Sequence, residues 1–209
     1  MSAQFLHRGI MRFYFIRHAV TQANKTGIMV KGYENADIDT LDKPDDWEEK
    51  VGIHIPDEAR QFIISSPAKR CVSTAKLLFD RYPDEVTDVL GEFDCKNLGT
   101  KKFWEITEAE FNNLVHLPSS TMAKRAMDIL TDMGNLILTE HNTDSVVAIS
   151  HGMIIRYLNH FLSGNPSISA YDIINSKGFK FSNLDLLVVD TESNQPPVAY
   201  HYSTPIEKT

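Results

Sequence analysis

Four side chains in this sequence, two arginines and two histidines, follow short apolar runs that are typical of buried strands: Arg17, His18, Arg70 and His151. An arginine forks onto two oxygens of a phosphate group, and a histidine supplies a further polar contact. Each of these residues, taken alone, is more often an ordinary surface or loop residue than a functional one. Gathered at one edge of a sheet, they would form a pocket for a dianion such as phosphate.

The apolar runs that precede these side chains predict strands at 12–16, 62–66 and 145–150. The runs are short and continuous rather than alternating, which is typical of strands buried on both faces of a parallel sheet. Ligands of an open α/β sheet bind beyond the carboxyl ends of its strands. We therefore expect the four side chains at one edge of one sheet.

The rest of the chain alternates between helical and strand patterns. Ser66 is the expected N-cap and Pro67 the first residue of a helix that Pro83 ends. Further strands are predicted at 85–90, 179–190 and 198–203, the last two as a hairpin, and further helices near 44–51, at 105–115 and 119–141, and from 153. This alternation predicts one α/β domain over 1–209, with three layers in which helices cover both faces of a mostly parallel sheet.

Composition argues against several classes of protein. The 209 residues carry a formal net charge of −7, whereas a general nucleic-acid-binding protein needs a basic face. No apolar run reaches the length of a membrane span, and Cys71 and Cys95 are too few for a disulfide framework. We therefore expect a cytoplasmic protein that binds neither nucleic acid nor membrane. Residues 1–10 and 205–209 are expected to be loosely held termini.

Three segments resemble the landmark motifs of the histidine phosphatase superfamily, the phosphoglycerate-mutase-like group. The segment "RHAVTQAN" is similar to the family's Arg-His-Gly-x-Thr-x-x-Asn, with alanine in place of the glycine, while "SSPAKR" is similar to Ser-Ser-Pro-x-x-Arg and "SHG" to Ser-His-Gly. The matching residues are Arg17, His18, Thr21, Asn24, Ser65, Ser66, Pro67, Arg70, Ser150, His151 and Gly152. The resemblance covers roughly residues 12–190 and implies a phosphoglycerate-mutase-like fold.

The resemblance also implies a role for the matched residues. His18 would attack phosphorus and form a phosphohistidine, since a neutral imidazole is available near pH 7. Arg17 and Arg70 would hold the non-bridging oxygens of the phosphate, while His151 adds a donor and Asn24 another contact. The arginines supply the charge that a metal supplies elsewhere, so neither a metal nor a cofactor is expected.

A general acid must also protonate the leaving alkoxide. The family places an acidic residue after its third strand, often in a Leu-x-Glu context, and Leu90, Gly91 and Glu92 provide that context here. Asp94 is the alternative, because the longer segment "KNLGTKKFWEI" follows where the family often has Gly-x-Trp-Glu-Gly. We expect Glu92 to be the acid.

Several functions share this chemistry. The leading interpretation is a phosphomonoester phosphatase, because the extra basic residues with which mutases hold a sugar-acid carboxylate are not recognisable. A phosphoglycerate-type mutase is the alternative, and a catalytically silent phosphate-binding module is the interpretation from a different class. A metal site at His18 and His151 is disfavoured, since neither has a carboxylate or cysteine at ligand spacing.

The sequence leaves the substrate open. The loops 25–60 and 93–118 would determine specificity, and they match the family least well. A small phosphorylated compound or a phosphoprotein is the expected partner, and the pattern carries no signal for an oligomeric state.

Overall fold

The structure is a computed structural model, and it describes residues 11–28, 36–39, 43–92, 102, 105–114, 119–137, 143–164, 171–172, 181–191 and 197–203. Both predicted loose termini and Asp94, the alternative acid, lie outside these ranges.

The centre of the protein is a six-stranded mixed sheet. Its strands are β1 Met11–Arg17, β2 Ile63–Ser65, β3 Glu85–Val86, β4 Ser145–Ser150, β5 Leu186–Thr191 and β6 Val198–Tyr202. The order across the sheet is β3-β2-β4-β1-β5-β6, in which the first four strands are parallel and β5 and β6 run antiparallel. This arrangement confirms the predicted α/β class and the closing hairpin.

Seven α-helices lie in the described part of the chain. They are α1 Gln22–Thr26, α2 Trp47–Lys50, α3 Asp57–Arg60, α4 Lys69–Phe79, α5 Glu108–Leu114, α6 Ser119–Leu136 and α7 Gly152–Leu162, with short 3₁₀ helices at Gly52–His54 and Asp88–Leu90. None of these helices combines the length and the apolar character that crossing a membrane requires.

Alternation along β1 divides the core into two halves. Phe13 and Phe15 face one cluster, which takes its helical residues from α5, α6 and α7. Tyr14 and Ile16 face the other, which α2, α3 and α4 complete. Because successive side chains of a strand point to opposite faces, helices cover both sides of the sheet. The predicted three layers are confirmed.

The predicted start and end of the helix after β2 are wrong. Ala68, rather than Ser66, is the N-cap, and the helix begins at Lys69. The hydroxyl of Ser66 accepts from the Ala68 N–H at 3.3 Å, which closes a turn ahead of the helix. At the other end, Asp80 adopts a left-handed conformation with φ 54° and ends the helix three residues before Pro83.

The predicted third strand is much shorter than 85–90. Only Glu85–Val86 pairs with β2, and Asp88–Leu90 forms a 3₁₀ helix. The side chain of Thr87 caps that turn by accepting from the Val89 N–H at 3.3 Å. Glu92 therefore follows a 3₁₀ turn rather than the end of a strand.

The predicted strand 179–190 also starts too early. The strand begins at Leu186, because Leu184 has a φ of 65° and breaks the extended chain. The segment 181–185 instead forms a loop beside the end of β1, which we call the 181–185 loop. This loop is part of the candidate active site.

Candidate active site

The carboxyl ends of β1 and β4 hold two histidines side by side. Arg17 and Ser150 pair as the last residues of their strands, and the His18 N–H donates to the Ser150 carbonyl at 3.0 Å. The ring centroids of His18 and His151 are 5.4 Å apart, with the ring planes at 64°. Only 5% and 1% of these residues is exposed. The ends of β1 and β4 therefore meet, as predicted, and bring the two histidines into one buried cluster.

The ring of His18 is held in a single tautomer. Its Nδ1 lies 2.8 Å from the carbonyl oxygen of Ala19. A carbonyl oxygen only accepts, so Nδ1 carries the proton and Nε2 keeps its lone pair. The Ala19 N–H donates to Thr74 Oγ1 at 2.8 Å, which ties the main chain of Ala19 to α4. Nε2 is thus the nitrogen that can attack an electrophile.

Arg17 crosses the first turn of α7. Its Nη1 donates to the Phe181 carbonyl at 2.6 Å. A Cβ added to Gly152 would lie 2.9 Å from Arg17 Nε and 3.0 Å from Arg17 Cζ. The Arg17 guanidinium therefore fits here only because residue 152 has no side chain. Burial, and then repulsion from Arg156, lowers the pKa of Arg17 to about 10. An anion bound in the pocket would offset both effects.

Arg70 is 2% exposed, although it lies in the first turn of α4. Its Nη2 lies 3.2 Å from Nδ1 of His151. Arginine only donates, so Nδ1 is the acceptor and Nε2 carries the proton of His151. That Nε2 lies 2.9 Å from Ser66 Oγ and donates to it. Arg70 and Ser66 therefore hold the second imidazole from both sides.

Both histidines of the pocket are neutral near pH 7. Burial, and then the charges of Arg17 and Arg70, hold the pKa of His18 well below its ordinary value. Burial, followed by the positive charges around the ring, those of Arg70 and Arg17 among them, does the same for the pKa of His151. The positive charge of the pocket is therefore carried by arginine, and the imidazoles keep their lone pairs.

Asn24 joins the site from the start of α1. Its amide and the N-cap Thr21 form a capping box, in which Thr21 N donates to Asn24 Oδ1 at 3.1 Å and Asn24 N donates to Thr21 Oγ1 at 3.2 Å. Asn183 Nδ2 also donates to Asn24 Oδ1, at 3.2 Å. The oxygen thus receives two protein donors, and Nδ2 is the end of the amide that is left to meet a ligand.

Glu92 lies at the N-terminus of α7. Its Oε2 accepts from the Met153 N–H at 3.4 Å. Its negative charge opposes the lowering of the pKa of both Arg17 and Arg156. The predicted acid therefore lies close to the phosphate-binding candidates, at a helix end that favours negative charge.

Several residues of this region escaped the sequence interpretation. Arg156 of α7 donates to the Phe181 carbonyl at 3.2 Å, so two arginines share that oxygen. Asn183 Nδ2 donates to the His18 carbonyl at 2.7 Å. A cation in the otherwise apolar stretch "MIIRYL" was a usable signal for Arg156. Asn183 stands in a loop and had no such signal.

Cys71 lies beneath the second histidine. Its sulfur is 3.5 Å from His151 Nε2 and 3.7 Å from the Ser150 carbonyl. Burial raises the pKa of the Cys71 thiol to about 12. Because a protonated thiol is a poor nucleophile, Cys71 acts here as a packing residue.

The site residues predicted from the sequence lie together. His18 and His151 lie side by side, Arg70 contacts His151, and Arg17 crosses Gly152 next to it. Asn24 is joined to this group through Asn183, and Glu92 through the Met153 N–H of α7. Within the described ranges, no group of three or more histidine, cysteine, aspartate or glutamate side chains could hold a metal ion.

Comparisons with known proteins identify a family for the chain. The family model described as "Histidine phosphatase superfamily (branch 1)" matches residues 13–201. No curated protein sequence matches the chain significantly.

Solved structures share the fold. A phosphoserine phosphatase mutant from Entamoeba histolytica, in complex with phosphoserine, superposes with a TM-score of 0.65 at 16% identity, over 93% of this chain and 97% of that chain. The phosphoserine phosphatase of the same organism, with 3-phosphoglyceric acid, gives 0.63 at 19% identity over 93% and 98%. Bacillus stearothermophilus YhfR gives 0.60 at 14% identity over 94% and 96%.

Proposed function

The chain belongs to the histidine phosphatase superfamily, and we propose that it hydrolyses phosphate monoesters through a phosphohistidine formed on His18. The observation that carries the proposal is the state of the His18 ring. The Ala19 carbonyl holds the proton on Nδ1, and burial beside Arg17 and Arg70 keeps the ring neutral. A neutral imidazole with Nε2 available is the nucleophile that this chemistry requires.

The first step transfers the phosphoryl group to the enzyme. His18 Nε2 attacks phosphorus, a P–N bond forms and the ester P–O bond breaks. Arg17 and Arg70 hold the non-bridging oxygens, over which charge spreads in the transition state. Glu92 enters this step in its protonated form, in which the second step leaves it, and gives its proton to the departing alkoxide, so the product leaves as an alcohol. The Nδ1 proton stays on the ring and donates to the Ala19 carbonyl throughout.

The second step returns the enzyme to its starting state. Water attacks phosphorus, its proton passes to the Glu92 carboxylate, and the P–N bond breaks. His18 leaves as the neutral tautomer in which the structure holds it, and inorganic phosphate departs. Glu92 is thus the acid in one step and the base in the other.

The role proposed for His151 is to donate to the phosphate. Its two ring nitrogens contact Arg70 and Ser66. A dianion between the imidazoles opposes the lowering of the pKa of His151 by burial and positive charge. The protonated ring then has two donors, of which Nδ1–H is available to a phosphate oxygen.

We further propose that the substrate is a small phosphorylated metabolite and that the enzyme acts in the cytoplasm. The likeness to the phosphoserine phosphatase from Entamoeba histolytica supports the first choice, and phosphoserine is the first compound to test. The low cysteine content supports the second.

The direct test is turnover of a panel of phosphate monoesters by the purified protein, with a chelator present. We expect phosphate release from at least one member of the panel, at a rate the chelator leaves unchanged, and its loss in His18→Ala. Release that requires one divalent ion would contradict the metal-free mechanism. A requirement for a bisphosphate, with exchange of the phosphoryl group between substrates, would identify a mutase instead.

A further inference from the structure

Asn183 touches the site at two points. Its Nδ2 donates to the main-chain carbonyl of His18 at 2.7 Å and to Oδ1 of Asn24 at 3.2 Å. Both acceptors belong to residues placed in the reaction, the nucleophile and a phosphate ligand. The sequence interpretation assigned no role to Asn183.

We propose that Asn183 is a positioning residue that locks the side-chain amide of Asn24 with Nδ2 directed at the bound phosphate. This inference rests on the proposed function of the site. Asn24 Oδ1 receives two donors, from Thr21 N at 3.1 Å and from Asn183 Nδ2 at 3.2 Å. If the amide were reversed, its NH₂ group would face both donors and two hydrogen bonds would be lost. One of these two hydrogen bonds comes from Thr21 and the other from Asn183.

The 181–185 loop is built to hold Asn183 still. Asp185 is 1% exposed, and its Oδ2 accepts from the Ser182 N–H at 2.6 Å and contacts His201 Nε2 at 3.1 Å. The Leu184 N–H donates to the Arg17 carbonyl at 3.0 Å, and the Arg17 N–H donates to the Asp185 carbonyl at 3.2 Å. These two bonds fix the loop to the end of β1 after Asn183, and before Asn183 the Phe181 carbonyl accepts from Arg17 Nη1 at 2.6 Å. A rigid support of this kind is what keeps a ligand donor in place.

A residue that merely stabilises the loop would look similar in the structure, and coupling to Asn24 distinguishes the two roles. If Asn183 acts on phosphate binding through Asn24, most of the effect of its loss disappears once the Asn24 amide is removed, and only the part due to its hydrogen bond with the His18 carbonyl remains. If Asn183 only supports the fold, its loss weakens phosphate binding by the same factor with or without that amide. A double-mutant cycle measures this difference.

The experiment measures inorganic phosphate binding by calorimetry, for the wild type, Asn24→Ala, Asn183→Ala and the double variant. Loss of a hydrogen bond to a charged group weakens binding about tenfold or more, so we expect that for Asn24→Ala. For Asn183→Ala we expect about a three- to tenfold rise in Kd, and in the Asn24→Ala background the same change should cost less than about twofold. The matched control is Ser182→Ala, in the same loop, which keeps the main-chain N–H and should bind phosphate as the wild type does.

Two results would overturn the proposal. One is wild-type phosphate affinity in Asn183→Ala, and the other is a double variant whose loss equals the product of the two single losses. Thermal unfolding of each variant identifies a loss of fold, in which case Asn183→Ser, with a shorter donor, replaces Asn183→Ala in the cycle. Binding is read without turnover, so phosphate binding with no hydrolysis would refute the proposed function and leave this inference testable.

Discussion

Replacing Arg70 by alanine should slow turnover far more than replacing the adjacent Lys69. Arg70 is 2% exposed and lies 3.2 Å from His151 Nδ1, whereas the side chain of Lys69 is 59% exposed and pairs with Asp37 at 2.9 Å. Successive helix residues point about 100° apart. One of the two cations thus faces the pocket, and the other faces water.

The magnitude follows from the hydrogen bonds that the Arg70 guanidinium can donate to the phosphate oxygens. Removing one prepositioned donor from a developing oxyanion typically costs about 10²–10³-fold in kcat, and Arg70 offers a two-pronged fork. We expect about 10³-fold for Arg70→Ala and about 10–10²-fold for Arg70→Lys, which keeps the charge without the fork. Lys69→Ala should change kcat/KM less than about threefold, since exposed ion pairs contribute little.

The assay is steady-state hydrolysis of p-nitrophenyl phosphate by the three variants, with thermal unfolding as the check on folding. A second readout is the titration of His151 by NMR. The charge of Arg70 contributes to the low pKa of His151, so this pKa should rise in Arg70→Ala. Equal losses for Lys69→Ala and Arg70→Ala would refute the placement of Arg70 in the pocket.

Three further outcomes follow from the site. Gly152→Ala should lower kcat/KM about 10–100-fold with little change in Tm, because the added Cβ would collide with the Arg17 guanidinium and displace it. Wild-type kinetics in this variant would contradict the prediction. Glu92→Gln should slow the pre-steady-state burst about 10²–10⁴-fold more with an alkyl phosphate than with p-nitrophenyl phosphate, because an alkoxide needs a proton to leave and p-nitrophenolate does not. Asp94→Asn should show no such difference between the two substrates. The opposite pattern would make Asp94, rather than Glu92, the general acid. In urea unfolding, the free energy of unfolding should fall as pH drops below 6.5, by up to about 1.4 kcal/mol per pH unit for each of His18 and His151. The reason is that these two imidazoles bind protons in the unfolded chain but stay neutral in the folded protein. A free energy of unfolding that is constant over this pH range would refute their low pKa values.

The edge of the sheet that carries the site was predictable from local pattern. An apolar run that stops at a polar or charged residue marks the end of a buried strand, and this held for Arg17, the last residue of β1, and for His151, which follows β4. Parallel pairing then brings the ends of the strands together at one edge of the sheet. The periodicity of each segment does not predict this pairing, but the α/β fold class does.

The errors lie where a distant contact overrides a local preference. Ser66 had the composition of an N-cap, yet its hydroxyl accepts from the ring of His151, 85 residues away in the chain. The strand predicted at 85–90 becomes a 3₁₀ turn, and Ser150 Oγ holds its Leu90 carbonyl at 2.7 Å. Such partners are invisible to any window of the sequence.

The least predictable part of the site is the 181–185 loop. Its residues have no helical or strand period, and Asn183, whose side chain contacts the site, resembles any loop asparagine. Its importance appears only when β5 pairs beside β1 and brings the loop to the His18 carbonyl. A position of this kind is set by topology rather than by composition.

The measurement that tests the central claim most directly is trapping of the phosphoenzyme. The protein is mixed with a ³²P-labelled substrate, quenched with denaturant within milliseconds, and the label on the chain is tested for stability. We expect label that is lost in acid and kept in base, present in the wild type and in His54→Ala, a control outside the pocket, and absent from His18→Ala. Acid-stable label, or label retained by His18→Ala, would contradict the account.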